Sequence, residues 1–121
     1  MILETGELAE PSLISRASRI ALAAGADFLK TSTGKTRHHA SPAAAALMLA
    51  AIADDGRRAG LKVSGGVGSI ADVQVYLALA AAVYGADQLT PQTLRFGASS
   101  LLPALLAVLD GTPAAGRPHG Y

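Results

Sequence analysis

Four short β-rich runs recur along this chain at a nearly constant interval, and that interval constrains the fold more than any other feature. ILET at 2–5, DFLKTST at 27–33, LKVSG at 61–65 and LRFGAS at 94–99 alternate with longer helical stretches. This alternation describes βα units and therefore a parallel sheet. Lys30 and Lys62 are 32 residues apart, and Lys62 and Phe96 are 34 apart. Both spacings are close to the ~31 residues per unit obtained by dividing a typical ~250-residue (β/α)8 barrel by eight. About four such units make either a small open α/β sheet or half of a barrel.

The helices carry their own start and stop signals. Pro11 suits a first turn, with Leu13, Ala17, Ile20, Ala21 and Ala24 at helical spacing on one face and Gly25 as a stop. Ser41-Pro42 reads as N-cap and N1 of an Ala-rich helix ending near Gly56. Ser69 with Asp72 makes a near capping box for a helix through Val73, Tyr76, Leu77, Ala80 and Tyr84 that stops at Gly85. A last helix is predicted from about Ser100 to Leu109, with Leu102, Leu105, Leu106 and Leu109 inward. The segment GTPAAGRPHGY is rich in Gly and Pro and is expected to be a mobile tail.

Composition removes several function classes. The chain has 121 residues, a formal net charge of +1 and 50% hydrophobic residues, which fits one globular domain. Its ten Lys and Arg are scattered, and with two Phe and no Trp for stacking bases, nucleic-acid binding is not expected. The absence of cysteine excludes disulfide scaffolds and thiolate metal sites. The N-terminus MILETGELAE carries acids where a signal peptide has basic residues. The longest apolar run, from Val75, is far short of the ~20 residues that cross a bilayer. We expect a soluble cytoplasmic protein with no membrane partner.

Chemistry is expected at the C-terminal ends of the strands, where both architectures place their sites. Lys30 and Lys62 occupy corresponding points of successive units. On neighbouring strands their side chains would start from backbones ~4.8 Å apart. Each ammonium would depress the other's pKa, and a neutral amine attacks a carbonyl to form a Schiff base. The plainer reading is a strand-end lysine that snorkels to solvent or pairs with Asp27 or Asp87. Two lysines at matched positions, both followed by Ser and Gly, favour chemistry.

Small-residue turns supply a second feature: TSTGKT at 31–36, SGGVGS at 64–69 and GASS at 97–100, each between a strand and a helix. Backbone N–H groups of such turns, at helix N-termini, suit a phosphate, and one turn carries Lys35. GKT at 34–36 is not a P-loop, because the leading glycine of that motif would fall on Leu29. Gly66-Val-Gly68-Ser-Ile-Ala71 does match a G-x-G-x-x-A dinucleotide fingerprint and gives the runner-up reading, although no clear strand ending in an acid follows it and Asp87 falls in a weakly β segment. His38 and His39 diverge on regular backbone and read as a solvated loop, not a metal site. Glu4 either faces the site or ends a strand, and composition does not decide between them.

ILETGEL, GADFLKTSTGK, LKVSGGV and RFGASSLL, in this order and spacing, resemble the C-terminal half of the deoxyribose-phosphate aldolase family, class I aldolases with a TIM-barrel fold. The resemblance covers nearly the whole chain. It implies that Lys30 forms the Schiff base and that Lys62 lowers its pKa. It also implies that Gly34, Lys35, Gly65, Gly66, Gly97, Ser99 and Ser100 surround a substrate phosphate. A tyrosine ending the C-terminal tail assists proton transfer in some members, which points to Tyr121. The implied reaction is reversible cleavage of 2-deoxy-D-ribose 5-phosphate to acetaldehyde and D-glyceraldehyde 3-phosphate, without metal or organic cofactor.

Two departures accompany the match. Gly68 stands where the family usually has a basic residue. The chain also begins at what would be the fifth barrel strand, so the family's proton-transfer aspartate lies outside it. Residues 1–110 are expected to form a half-barrel and 111–121 a flexible tail. A half-barrel exposes two sheet edges and an interior face. It is expected to pair with a second copy as a homo-oligomer, to complement an N-terminal half-barrel, or to be a truncated phosphate-binding remnant.

Overall fold

A computed structural model describes residues 1–111. Its elements in chain order are α1 (Thr5–Leu8), α2 (Pro11–Ala23), β1 (Phe28–Lys30), α3 (Pro42–Asp55), β2 (Gly60–Ser64), α4 (Ile70–Tyr84), a 3-10 turn (Ala86–Gln88), β3 (Leu94–Gly97) and α5 (Leu101–Leu109). The sheet is parallel in the order β1-β2-β3. Sequential order without reversal is the arrangement of a barrel wall. A doubly wound nucleotide-binding sheet instead reverses strand order at its switch point.

Alternation along the strands separates two faces. Leu29, Leu61 and Val63 are fully buried and Leu94 is nearly so, beneath α2, α3 and α4. Met48, Leu49 and Leu22 interlock with them from the helices. Burying an aliphatic side chain of this size contributes about 1.5–3 kcal/mol, so this layer dominates cohesion. Phe28, Lys30, Lys62, Ser64 and Arg95 alternate onto the opposite face. There Lys30 and Lys62 are half-buried and Arg95 is exposed.

The expected caps form. Ser41 Oγ accepts the Ala44 N–H at 3.1 Å, and α3 ends on Gly56 in the left-handed region. Ser69 and Asp72 complete a full capping box, with Asp72 Oδ2 accepting the Ser69 N–H at 2.9 Å.

Four expectations are corrected. Residues 2–5 form only an isolated parallel bridge, Ile2 to Lys30, because Glu4 adopts φ 54 and turns the chain into α1. The buried stripe of α2 is Ile14, Ser18, Ala21 and Leu22, and Leu13 and Ile20 face outward. In α5 only Leu101 is buried, while Leu102, Leu105, Leu106 and Leu109, expected inward, are exposed. Asp87 belongs to the 3-10 turn and not to a β segment. Among the described residues no helix is long and apolar enough to cross a membrane.

Candidate active site

Lys30 and Lys62 are direct register partners on β1 and β2. The row continues to Ile2 on one side and to Arg95 on the other. Both lysines stand on the sheet face that the helices leave open. Neither pairs with Asp27 or Asp87; among the described residues the ion pairs are Arg19–Asp54 and Arg57–Asp55.

Beyond this row the strand ends are knotted by hydroxyls. Thr31 Oγ1 donates to Ser64 O at 3.2 Å and accepts the Ser64 N–H at 3.0 Å. Ser32 Oγ also donates to Ser64 O. Ser64 Oγ in turn donates to Gly97 O at 3.3 Å. Thr31, Ser32 and Ser64 are buried, so these bonds fix the relative positions of the three loops that follow. Gly97 is required by this closeness: a Cβ there would lie 2.8 Å from Ser64 Oγ and 3.3 Å from Lys62 Cε. The same contact shows that the Lys62 side chain reaches toward the C-terminal edge of the sheet.

Glu4, left undecided by the sequence, organises the loop after β1. Its carboxylate accepts the Thr33 hydroxyl at 2.6 Å, the Thr33 N–H at 3.1 and 3.2 Å, and the Thr36 hydroxyl at 3.2 Å. The Thr33 hydroxyl is the main cause that holds this carboxyl below its usual range. The Thr33 N–H, the Thr36 hydroxyl and the positive charge of Lys30 add to it, against an opposing desolvation. Glu4 thus feels the charge of Lys30 as the smallest of these influences.

The proposed phosphate groups are partly gathered. Gly65 and Gly66 both have positive φ, 80° and 73°, and pack against His39 from the loop after β1. A Cβ at Gly68 would lie 3.9 Å from Ser100 Oγ, so the turns after β2 and β3 also meet. Gly34, with φ 77°, and Lys35 sit on the exposed part of the first loop. His39, not Lys35, brings that loop to the glycine pair. His38 and His39 are exposed, as expected of a loop, yet His38 packs on Gly6 as His39 does on Gly65.

Asp72 takes the Gly68 N–H at 3.1 Å in addition to that of Ser69, so two donors at the start of α4 are already engaged. This weighs against the dinucleotide fingerprint, whose pyrophosphate would compete with Asp72 for those donors. Ser100, by contrast, begins α5 without a side-chain cap, and Ser99 and Ser100 are exposed. Tyr121 lies outside the described residues.

The lysine row is not enclosed. A cavity of about 210 Å³ is lined by Ile52, Arg57, Tyr84 and their neighbours, and another of about 370 Å³ lies between α1, α2 and the start of α3. Neither includes Lys30 or Lys62. A single wall of three strands cannot close a lumen, and the lysines therefore line an open trough.

Residues that the sequence reading passed over are Arg95, Thr36 and the Ser64 knot. Arg95 was signalled by its parity: it sits one residue before Phe96 in a run whose register continues the lysine row.

A parallel α/β wall in sequential strand order, with two lysines in register on its open face, is the class of architecture that the fold and site define. Residues 3–107 match the DeoC/LacD family aldolases, and the chain belongs to that family. It is 48% identical over 121 residues to the deoxyribose-phosphate aldolase of Agrobacterium fabrum strain C58, a match covering 100% of this chain and 47% of that one. The chain thus spans about half the length of this curated relative. Two crystal structures of a candidate deoxyribose-phosphate aldolase from Toxoplasma gondii ME49 are also similar. The apo form gives a TM-score of 0.76 at 28% identity, covering 88% of this chain and 42% of that chain. The other gives 0.67 at 29% identity, covering 79% and 40%.

Proposed function

We propose that this chain is the C-terminal half-barrel of an aldolase that reversibly cleaves 2-deoxy-D-ribose 5-phosphate to acetaldehyde and D-glyceraldehyde 3-phosphate, with the Ile2 bridge in the place of strand five and β1 to β3 as strands six to eight. The observation that carries the reading is the direct register of Lys30 with Lys62 on the open face of a sheet belonging to this aldolase family. In the synthetic direction the Lys30 amine condenses with acetaldehyde and releases water. The resulting iminium loses a carbon-bound proton to become an enamine, and the enamine attacks the second aldehyde. Lys62 is the neighbour of Lys30 in register on the next strand. Gly34, Lys35, Gly65, Gly66, Gly97, Ser99 and Ser100 receive the phosphate, with the uncapped start of α5 contributing N–H donors. Tyr121 is assigned to proton transfer through the resemblance alone.

The open trough and the two sheet edges require a second wall. A complementing N-terminal half-barrel supplies it best, because the curated relative has about as much chain again beyond the matched part. A second copy of this chain is the other source. The reading includes a cytoplasmic setting, in keeping with a chain that carries no cysteine.

The test is acetaldehyde release from 2-deoxy-D-ribose 5-phosphate by this chain, alone and mixed with the part of the Agrobacterium relative that it does not match. Cleavage that appears or rises on mixing supports the reading. Binding of the phosphate ester without turnover in a folded mixture contradicts it and favours a phosphate-binding remnant.

A further inference from the structure

The row of Lys30, Lys62 and Arg95 holds a third cation, and its side chain is anchored in a way the lysines are not. Arg95 Nε donates to Pro91 O at 2.6 Å, and its guanidinium lies over the Phe28 ring, 4.2 Å from the centroid. Phe28 is on β1 and Arg95 on β3, so this contact spans β2, and it does so at Gly60. A Cβ at Gly60 would fall 2.2 to 2.7 Å from three atoms of the Phe28 ring. The glycine is what lets the ring lie across the middle strand. Phe28, Gly60 and Arg95 thus form a floor on the N-terminal side of the lysine row. On the other side Gly97 leaves the space into which the Lys62 stem extends, with Lys62 Cε 3.3 Å from where a Cβ would be.

We propose that Arg95 is a positioning residue for the lysine pair. Held down by Phe28 and Pro91, it closes the space beneath Lys62, directs that side chain toward the C-terminal edge, and keeps a permanent positive charge on the lysine face. Among the described residues, the charged groups set beside Lys30 by register or charge are Glu4 from the N-terminal segment, Lys62 from β2 and, one strand further along the row, Arg95 from β3. Glu4 opposes the two cations, and its carboxylate is committed to Thr33 and Thr36. An arginine suits the role because it stays charged at any working pH and stacks on an aromatic face. Substrate does not need to touch it.

This inference rests on Lys30 being the imine-forming residue, and the test separates the two claims. The chain, mixed with the unmatched part of the Agrobacterium relative, is incubated with acetaldehyde, reduced with borohydride and peptide-mapped for the adduct on Lys30 across a range of pH, for the parent, Arg95→Met and Arg95→Lys. Because Arg95 is exposed, the variants are expected to fold, and circular dichroism verifies it. Losing one nearby cation should cut trapping at pH 7 about threefold in Arg95→Met and move the profile to higher pH. Arg95→Lys should restore most of the parent profile. A folded Arg95→Met whose profile superimposes on the parent's overturns the inference and leaves the aldolase reading intact. A folded and complemented parent chain with no Lys30 adduct at any pH sinks both.

Discussion

Glu4 shows how much one backbone conformation decides. As an extended residue it would have continued a fourth strand; at φ 54 it ends pairing at Ile2 and turns its carboxylate onto Thr33 and Thr36. A carboxyl held below its ordinary value stabilises the fold above that value and loses the contribution as pH falls through the lowered one. Stability should therefore decline below about the ordinary 4.5, and Glu4→Gln should flatten this acid limb while lowering the melting temperature at pH 7. Denaturant melts of both chains at stepped pH measure it. The buried Thr5 Oγ1 has no hydrogen-bond partner among the described residues. Thr5→Val removes an unsatisfied hydroxyl at constant shape, so it should be neutral or stabilising by up to about 1 kcal/mol in urea unfolding. A loss beyond that would show the hydroxyl to be satisfied. Neither effect was legible in the sequence, because each depends on which atoms a turn brings together across about thirty residues.

At the scale of elements, caps and spacing were legible and helix faces were not. Ser41, Ser69, Gly56 and Gly85 act locally, and their roles follow from the residues beside them. The faces of α2 and α5 depend on what lies opposite. In α2 the apolar residues surround more than one side of the helix, so Leu13 and Ala17 fitted a stripe as well as Ile14 and Ser18 do. Docking against α3 selected the second. In α5 nearly every residue is apolar, and contact with α4 near its start buries Leu101 alone. The lysine register could be anticipated because strand spacing is rigid, whereas Arg95 was missed because the parity of its strand was not carried over from β2. Two predictions belong here. Ser69→Ala should cost about 1 kcal/mol of stability by removing the cap of α4, as a urea titration would show. Tyr84, whose hydroxyl donates to Ala59 O at 2.9 Å, is raised by burial from 10.0 to about 12. A raised group stabilises below its unfolded value and loses that contribution as pH climbs toward the folded one. Stability should fall between pH 10.0 and about 12, and Tyr84→Phe should remove that alkaline limb.

For the whole molecule, the exposed leucines of α5, the outward Leu13 and Ile20 of α2 and the open lysine face are surface that the proposed second wall would have to meet. The interval of 32 and 34 residues had already implied such a wall, since it matches a barrel unit and the chain holds only about four. What the interval could not say is which partner completes it. Sedimentation of the chain alone and with the unmatched part of the Agrobacterium relative should show a defined hetero-complex in the mixture. The central claim is more direct than assembly: Lys30, and not Lys62, forms the imine. Borohydride reduction of the complemented chain with acetaldehyde, followed by peptide mapping, tests it in one measurement. The account predicts a single reduced adduct on the peptide containing Lys30, abolished in Lys30→Arg. An adduct on Lys62, or none on a folded and complemented chain, would contradict it.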